Sequence, residues 1–331
     1  MNPQLLTLFE EYDRSALPGA SVMVARRGEA ILARGFGLAN LEEKISCGLE
    51  TNFRLASVTK QFTAMAIMIL AERQKLSLDD RLSRFFVEFP DYGADITIRH
   101  LLQHTSGLLD YEDLIPPETT VPVRDRDVLR LLQEQNKTYF APDLRHRYSN
   151  SGYALLALIV EAQSKLSFAQ FLEQNIFRPL AMHRTVAFEE GISTVHNRAY
   201  GYSPGVNGFE RTDQSLTSSV LGDGGIYSTV CDLSRWNEAL DARKLVSPAM
   251  LELAFASGPA TEHPDTGYGF GWYIGRYRGL EEIWHSGNTI GFTTRVVRFP
   301  QEQFSIILLT NRNEADLAVL SRRIVDACLF G

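Results

Sequence analysis

Phe53-Arg54-Leu55-Ala56-Ser57-Val58-Thr59-Lys60-Gln61-Phe62-Thr63-Ala64-Met65-Ala66-Ile67-Met68-Ile69-Leu70 is the most informative stretch of this 331-residue chain. From Phe62 onward it is apolar on nearly every side, which predicts a helix buried all round. Ser57 falls at the head of that helix, where free backbone N–H groups favour developing negative charge. Lys60 lies three residues on and shares a face with it, one turn away. A lysine buried there loses stabilisation of its charge, so its pKa falls. It can then take the proton of a serine hydroxyl, which is too weak a nucleophile alone. The structural alternative for the same residues is an N-cap serine beside a lysine that snorkels to solvent.

Working outward, strands are expected at both ends of the chain and helices between them. Ser21-Val22-Met23-Val24-Ala25 and Ala30-Ile31-Leu32-Ala33 flank Arg27-Gly28, a hairpin signal. Segments 283–285, 293–299 and 304–309 read as three more strands, separated by turn residues at 287–291 and 300–301. Helical spacing marks 62–74, 98–103, 125–134, 151–164 and 168–175, with short helices expected at 4–14 and 315–329. The pattern predicts an α+β fold: an antiparallel sheet flanked by N- and C-terminal helices, with a helical insertion. Residues 1–60 and 217–331 are expected to form the α/β sheet domain and 61–216 a mainly helical domain, with the active site at their interface. Segments 110–123 and 257–267 read as long, mobile loops.

Composition limits the function classes. Hydrophobic residues are 44%, charged residues 22% and the net charge is −7, so the chain has a sizeable core and no basic excess for nucleic acid or anionic lipid. Its most apolar segments, 62–71 and 153–160, are about half the ~20 residues of a membrane span. The opening residues do not read as a signal peptide, which predicts a cytoplasmic protein, or a periplasmic or secreted one whose leader has been removed. Cys47, Cys231 and Cys328 are widely spaced and fit neither a zinc pattern nor a disulfide framework; three buried thiols are expected.

Two further patterns carry chemistry. Tyr148-Ser149-Asn150 precedes the apolar helix from Ser151, and in an extended segment Tyr148 and Asn150 point the same way. A tyrosine beside cationic Lys60 is expected to have a lowered pKa and to relay protons to a leaving group. Asn150 can bind a substrate amide or orient the lysine. His285-Ser286-Gly287-Asn288 ends a predicted strand; Gly287 would let substrate approach the backbone, and an N–H there would complete an oxyanion hole.

Ser57-x-x-Lys60, Tyr148-x-Asn150 and His285-x-Gly287, in that order, resemble the three motifs of the penicillin-recognising serine hydrolases. The branch they are most similar to holds the class C beta-lactamases, D-alanyl-D-alanine carboxypeptidases, D-aminopeptidases and beta-lactamase-like carboxylesterases. His104-Thr105-Ser106-Gly107-Leu108, Gly224-Gly225 and Tyr268-Gly269-Phe270-Gly271-Trp272 look like that branch too, so the likeness runs from about residue 18 to 312. The resemblance implies a beta-lactamase/transpeptidase-like fold and an acyl-Ser57 intermediate. Lys60 and Tyr148 would share the acid and base work, and the backbone N–H groups of Ser57 and Asn288 would form the oxyanion hole. Asn150, His285, Gly287 and Asn288 would contact substrate. It implies a small ester, amide or peptide substrate, no cofactor and no metal, and leaves the oligomeric state open. Class C beta-lactamases carry lysine where this chain has His285, which is mostly neutral at pH 7 and turns the expectation toward an esterase or D-peptidase-like activity. The alternatives are a penicillin-binding protein that is acylated with little turnover, a weak beta-lactamase, and an acyltransferase.

Three residues are tempting for other reasons. Gly201-Tyr202-Ser203-Pro204-Gly205 matches a nucleophile elbow, but Pro204, Gly205, Asn207 and Gly208 are loop chemistry. His104 is expected to fix the Thr105-Ser106-Gly107 turn. Asp223, before Gly224-Gly225, is expected to be a turn residue.

Overall fold

The computed structural model describes residues 3–14 and 16–331. Seven strands form the main sheet: β1 (Ala20–Arg26), β2 (Glu29–Phe36), β3 (Gly267–Tyr268), β4 (Tyr273–Tyr277), β5 (Leu280–Thr289), β6 (Phe292–Phe299) and β7 (Phe304–Thr310). They lie in the order β3-β4-β5-β6-β7-β1-β2, with every pair antiparallel. The chain's two ends therefore meet in the middle of one sheet, where β1 pairs with β7. The turn between β1 and β2 is the expected one: Arg27 and Gly28 have φ of 53° and 81°, as two-residue hairpin loops require.

Both faces of this sheet are covered, which explains the unbroken apolar run Ile306-Ile307-Leu308-Leu309. Ile306 and Leu308 face one cluster with Val22, Val24, Val297, Phe299, Leu317 and Ile324. Ile307 and Leu309 face the larger cluster, shared with the helices. A strand buried on both sides shows no polar alternation. Outside lie α1 (Pro3–Thr7) and α10 (Leu317–Val325). The N-terminal helix is shorter than the expected 4–14. Phe9 and Tyr12 instead sit in tight turns, with Phe9 stacked on Phe36 at 4.9 Å.

Inside lies α2 (Lys60–Glu72), whose residues 60 to 70 are all buried. Phe62 packs on Trp236, and the Trp236 indole donates to Gln61. The neighbouring helices are α3 (Ile98–Leu102), α4 (Asp125–Gln133), α5 (Asn150–Ser164), α6 (Phe168–Leu172), the single turn α7 (Leu221–Gly224), α8 (Val230–Asp241) and α9 (Pro248–Phe255). The last two were not anticipated. Both are short, and their starts are set by caps, Thr229 accepting from Asp232 N and Ser247 from Met250 N. Segment 110–123 is pinned at its start: Tyr111 is buried, and its N–H donates to Ser151. All three cysteines are free, but only Cys47 is fully buried. Among the described residues no single helix is long and apolar enough to cross a membrane.

Candidate active site

The head of α2 is set by a short 3₁₀ turn, Ala56–Thr59, entered through Ala56 at φ 49°. A non-glycine residue in the left-handed region is strained, and such strain is held only where surroundings over-determine it. Here β5 and β6 supply the restraint. The Thr294 hydroxyl donates to the Leu55 carbonyl at 2.7 Å, and a Cβ on Gly287 would lie 2.1 Å from that same oxygen. Gly287 is thus glycine because the protein's own backbone occupies that face, where the sequence suggested an approaching substrate. The result is selective exposure: between residues 51 and 70, Ser57 alone is not buried.

Lys60 is fully buried, and its Nζ is 3.1 Å from Ser57 Oγ, 2.8 Å from Asn150 Oδ1 and 2.9 Å from the Asp223 carbonyl. Burial pushes its pKa down, while the charges of Asp223, Asp110 and Glu112 pull it back up. The partner set has a simple consequence. An ammonium donates to all three groups. A neutral amine has two N–H bonds, which the two carbonyl-type acceptors consume, leaving its lone pair on the Ser57 side. Lys60 can therefore accept the serine proton without moving.

Tyr148 lies beside them, its ring centroid 4.9 Å from Lys60 Nζ. Among the described residues its buried hydroxyl makes no hydrogen bond of ordinary geometry. Burial raises its pKa well above 10, and only the nearby Ser57 hydroxyl pulls appreciably the other way. This reverses the expected lowering, because desolvation of the buried phenolate is the largest effect on the group. Tyr148 is held as a phenol that can donate.

His104 does not serve the 105–107 turn. Ser106 Oγ accepts from Leu108 N there, whereas His104 packs against the Tyr148 ring at 4.2 Å and its Nδ1 accepts from Ser149 N. It backs the tyrosine. Asn150 faces Lys60, as expected from its spacing to Tyr148. His285 is 1% exposed, and both ring nitrogens are used. With the Ser286 carbonyl 2.7 Å from Nδ1, that nitrogen carries the proton, so Nε2 accepts from the Tyr268 hydroxyl at 2.9 Å. Burial and the Lys60 charge lower its pKa to about 3. The ring is neutral and sealed, while Asn288, at the end of β5, is exposed. Ser203 lies on the hairpin Tyr202–Gly205 and Gly208–Arg211, its hydroxyl paired with Thr212 at 2.7 Å and not with any residue of this group.

Sequence reasoning missed Tyr268, which it noted only within a likeness, and Asp223, which it read as a turn residue. Asp223 does sit in a turn, but its carboxyl is buried and accepts from the Tyr111 hydroxyl at 2.9 Å. An acidic residue amid Gly222, Gly224 and Gly225 was the available signal, because a turn packed this closely has no room for solvent.

Comparison with known proteins gives the site its context. The Beta-lactamase family model matches residues 6–329. The chain is 33% identical over 325 residues to Penicillin-binding protein 4* of Bacillus subtilis, covering 94% of this chain and 72% of that protein. It spans 63% of Staphylococcus aureus Protein flp, so it is shorter than the curated relatives it matches. The fold is similar to that of the octameric penicillin-binding protein homologue from Pyrococcus abyssi, with TM-score 0.87, 27% identity and coverage of 98% and 77% of the two chains. It is also similar to EstCE1, a hydrolase with promiscuous acyltransferase activity, with TM-score 0.82, 25% identity and coverage of 99% and 98%.

Proposed function

Since the chain belongs to the Beta-lactamase family of serine hydrolases, we propose that it cleaves small esters or amides through an acyl-Ser57 intermediate, with an esterase or D-peptidase-like range. The observation that carries this is the Lys60 partner set, which leaves one amine position for Ser57. In this reading Lys60 takes the Ser57 proton as Oγ attacks the acyl carbonyl. The developing oxyanion is met by the backbone N–H groups of Ser57 and Asn288. Tyr148 protonates the leaving group, then assists the water that releases the acyl chain. Asn150 orients the lysine, and His285 shapes the floor of the site.

The preference for esters and D-peptide-like amides over efficient beta-lactam hydrolysis rests on His285. A neutral ring with both nitrogens engaged offers no fixed cation to a substrate carboxylate. Acyl transfer to an alcohol is the second reading, supported by the likeness to EstCE1. The same acyl-enzyme would partition between water and added nucleophile.

The test is a matched panel of nitrophenyl esters, D- and L-amino-acid amides, acyl-D-Ala-D-Ala and a chromogenic cephalosporin, run with wild type and Ser57→Ala. Ser57→Ala should lose turnover of every substrate used, and an active-site phosphonate should label Ser57 in the wild type. Retained turnover in Ser57→Ala would overturn the assignment.

A further inference from the structure

A ring of hydrogen bonds, joined by short stretches of chain, runs through Lys60. Its amine donates to Asn150 Oδ1, and the Asn150 N–H donates to the Asp110 carboxylate at 2.9 Å. The next residue, Tyr111, donates its hydroxyl to Asp223 Oδ2, and the Asp223 carbonyl returns to the Lys60 amine. Asp223 thus holds the lysine with its main chain and the 110–114 turn with its side chain. It has little freedom to do otherwise. The Leu221 and Gly222 N–H groups donate to Asp125 at 2.9 and 3.0 Å, and Thr63 donates to the Gly222 carbonyl at 2.7 Å. Across the circuit Ser151 accepts from Tyr111 N and donates to the Leu109 carbonyl, fixing the turn from the α5 side.

We propose that the Asp223 carboxyl and the Tyr111 hydroxyl form a buried pair that positions the Lys60 amine and governs its charge. The inference rests on the reading of Lys60 as the base for Ser57. Lys60 is faced by Asp223 from α7, by Asp110 and Glu112 from the 110–114 turn, by His104 from the end of α3 and by His285 from β5, with the Tyr148 and Tyr153 rings beside it. Both imidazoles are neutral. Glu112 is exposed and Asp110 half-exposed, so water screens them. Asp223 is 6% exposed and has no side-chain salt bridge among the described residues; burial pushes its carboxyl up to about 7 against the pull of Lys60 and Tyr111, so above neutral pH its charge acts on the amine through a medium of low dielectric. Tyr111 makes that charge tolerable by donating to it, as a buried carboxylate requires.

The pair acts on when Lys60 becomes neutral, so the test is a pH profile. For wild type, Asp223→Asn and Tyr111→Phe, kcat/KM for a short nitrophenyl ester and the rate of phosphonate labelling of Ser57 are measured from pH 5 to 9. Asp223→Asn keeps an acceptor for Tyr111 but removes the charge. The acid limb should move down by about one unit, so one unit below the wild-type midpoint the variant retains an about fivefold larger share of its plateau rate. Tyr111→Phe leaves the carboxyl without its donor, so it takes a proton more readily and the limb moves the same way by less. This second variant decides the matter if Asp223→Asn does not fold. Coincident limbs with Ser57 still labelled overturn the proposal and leave the hydrolase reading standing. A wild type not labelled at Ser57 overturns both.

Discussion

Gly287→Ala is the sharpest test of how the nucleophile is held. The added Cβ would lie 2.1 Å from the Leu55 carbonyl oxygen, 2.5 Å from Thr294 Oγ1 and 3.1 Å from the Ala56 Cβ. Ordinary contact needs about 3.5 Å, so β5 and the 55–57 segment must separate by about an ångström. The Thr294 hydroxyl can rotate away, but the Leu55 carbonyl is main chain and belongs to the turn that presents Ser57. A misplacement of about 1 Å in reacting groups costs roughly 10²-fold in rate, while overpacking costs about 1–3 kcal/mol in stability. The expected outcome is a folded protein with kcat/KM for a short nitrophenyl ester reduced about 100-fold, and phosphonate labelling of Ser57 slowed in proportion. Gly279→Ala is the control. That residue has φ 85° and nothing within 4 Å of its Cβ, so it suffers backbone strain without contact and should keep its rate. If Gly287→Ala matches wild type in kcat/KM, the argument that β5 fixes the nucleophile turn is wrong.

Other outcomes follow from the same geometry. His285 has a folded pKa of about 3 against the usual 6.5, so above pH 6.5 it is neutral folded or unfolded. As pH falls through that window only the unfolded chain takes up the proton, and stability is lost; two units below 6.5 this amounts to roughly 3 kcal/mol. Urea unfolding at pH 7 and 4.5 should therefore show a smaller loss for His285→Gln than for wild type by about that amount, and equal losses would contradict the sealed neutral ring. Ser203→Ala should leave ester turnover unchanged, because the Ser203 hydroxyl pairs across its hairpin with Thr212; a large fall in kcat/KM would reopen the elbow motif.

Much of the frame was legible because it is written in local periodicity. The hairpin at Arg27-Gly28, the strands at 292–299 and 304–310 and the helices from Lys60 and Asn150 each announce themselves within a dozen residues. Ser57 and Lys60 were legible together for the same reason: three residues on one helical turn are neighbours in any fold. Tyr148 and Asn150 were paired by their spacing of two, although nothing local says that they approach Lys60.

Tertiary structure alone decided the electrostatics. The Asp223 carbonyl meets Lys60 across 163 residues of chain, and Tyr111 meets Asp223 across 112. No periodicity reaches that far, so a residue read as a turn proved to be a partner of the amine. Tyr148 shows the same limit in sign: sequence saw a cation nearby and implied a lower pKa, whereas enclosure by packed neighbours raised it. His285 was assigned to a strand correctly, yet its protonation depends on burial and on the charge of Lys60, which lies 225 residues away in the chain. Local pattern sets which elements form and which side chains share a face. Desolvation, and with it the charge a buried group carries, is a property of everything packed around that group, and it exists only once the chain has closed.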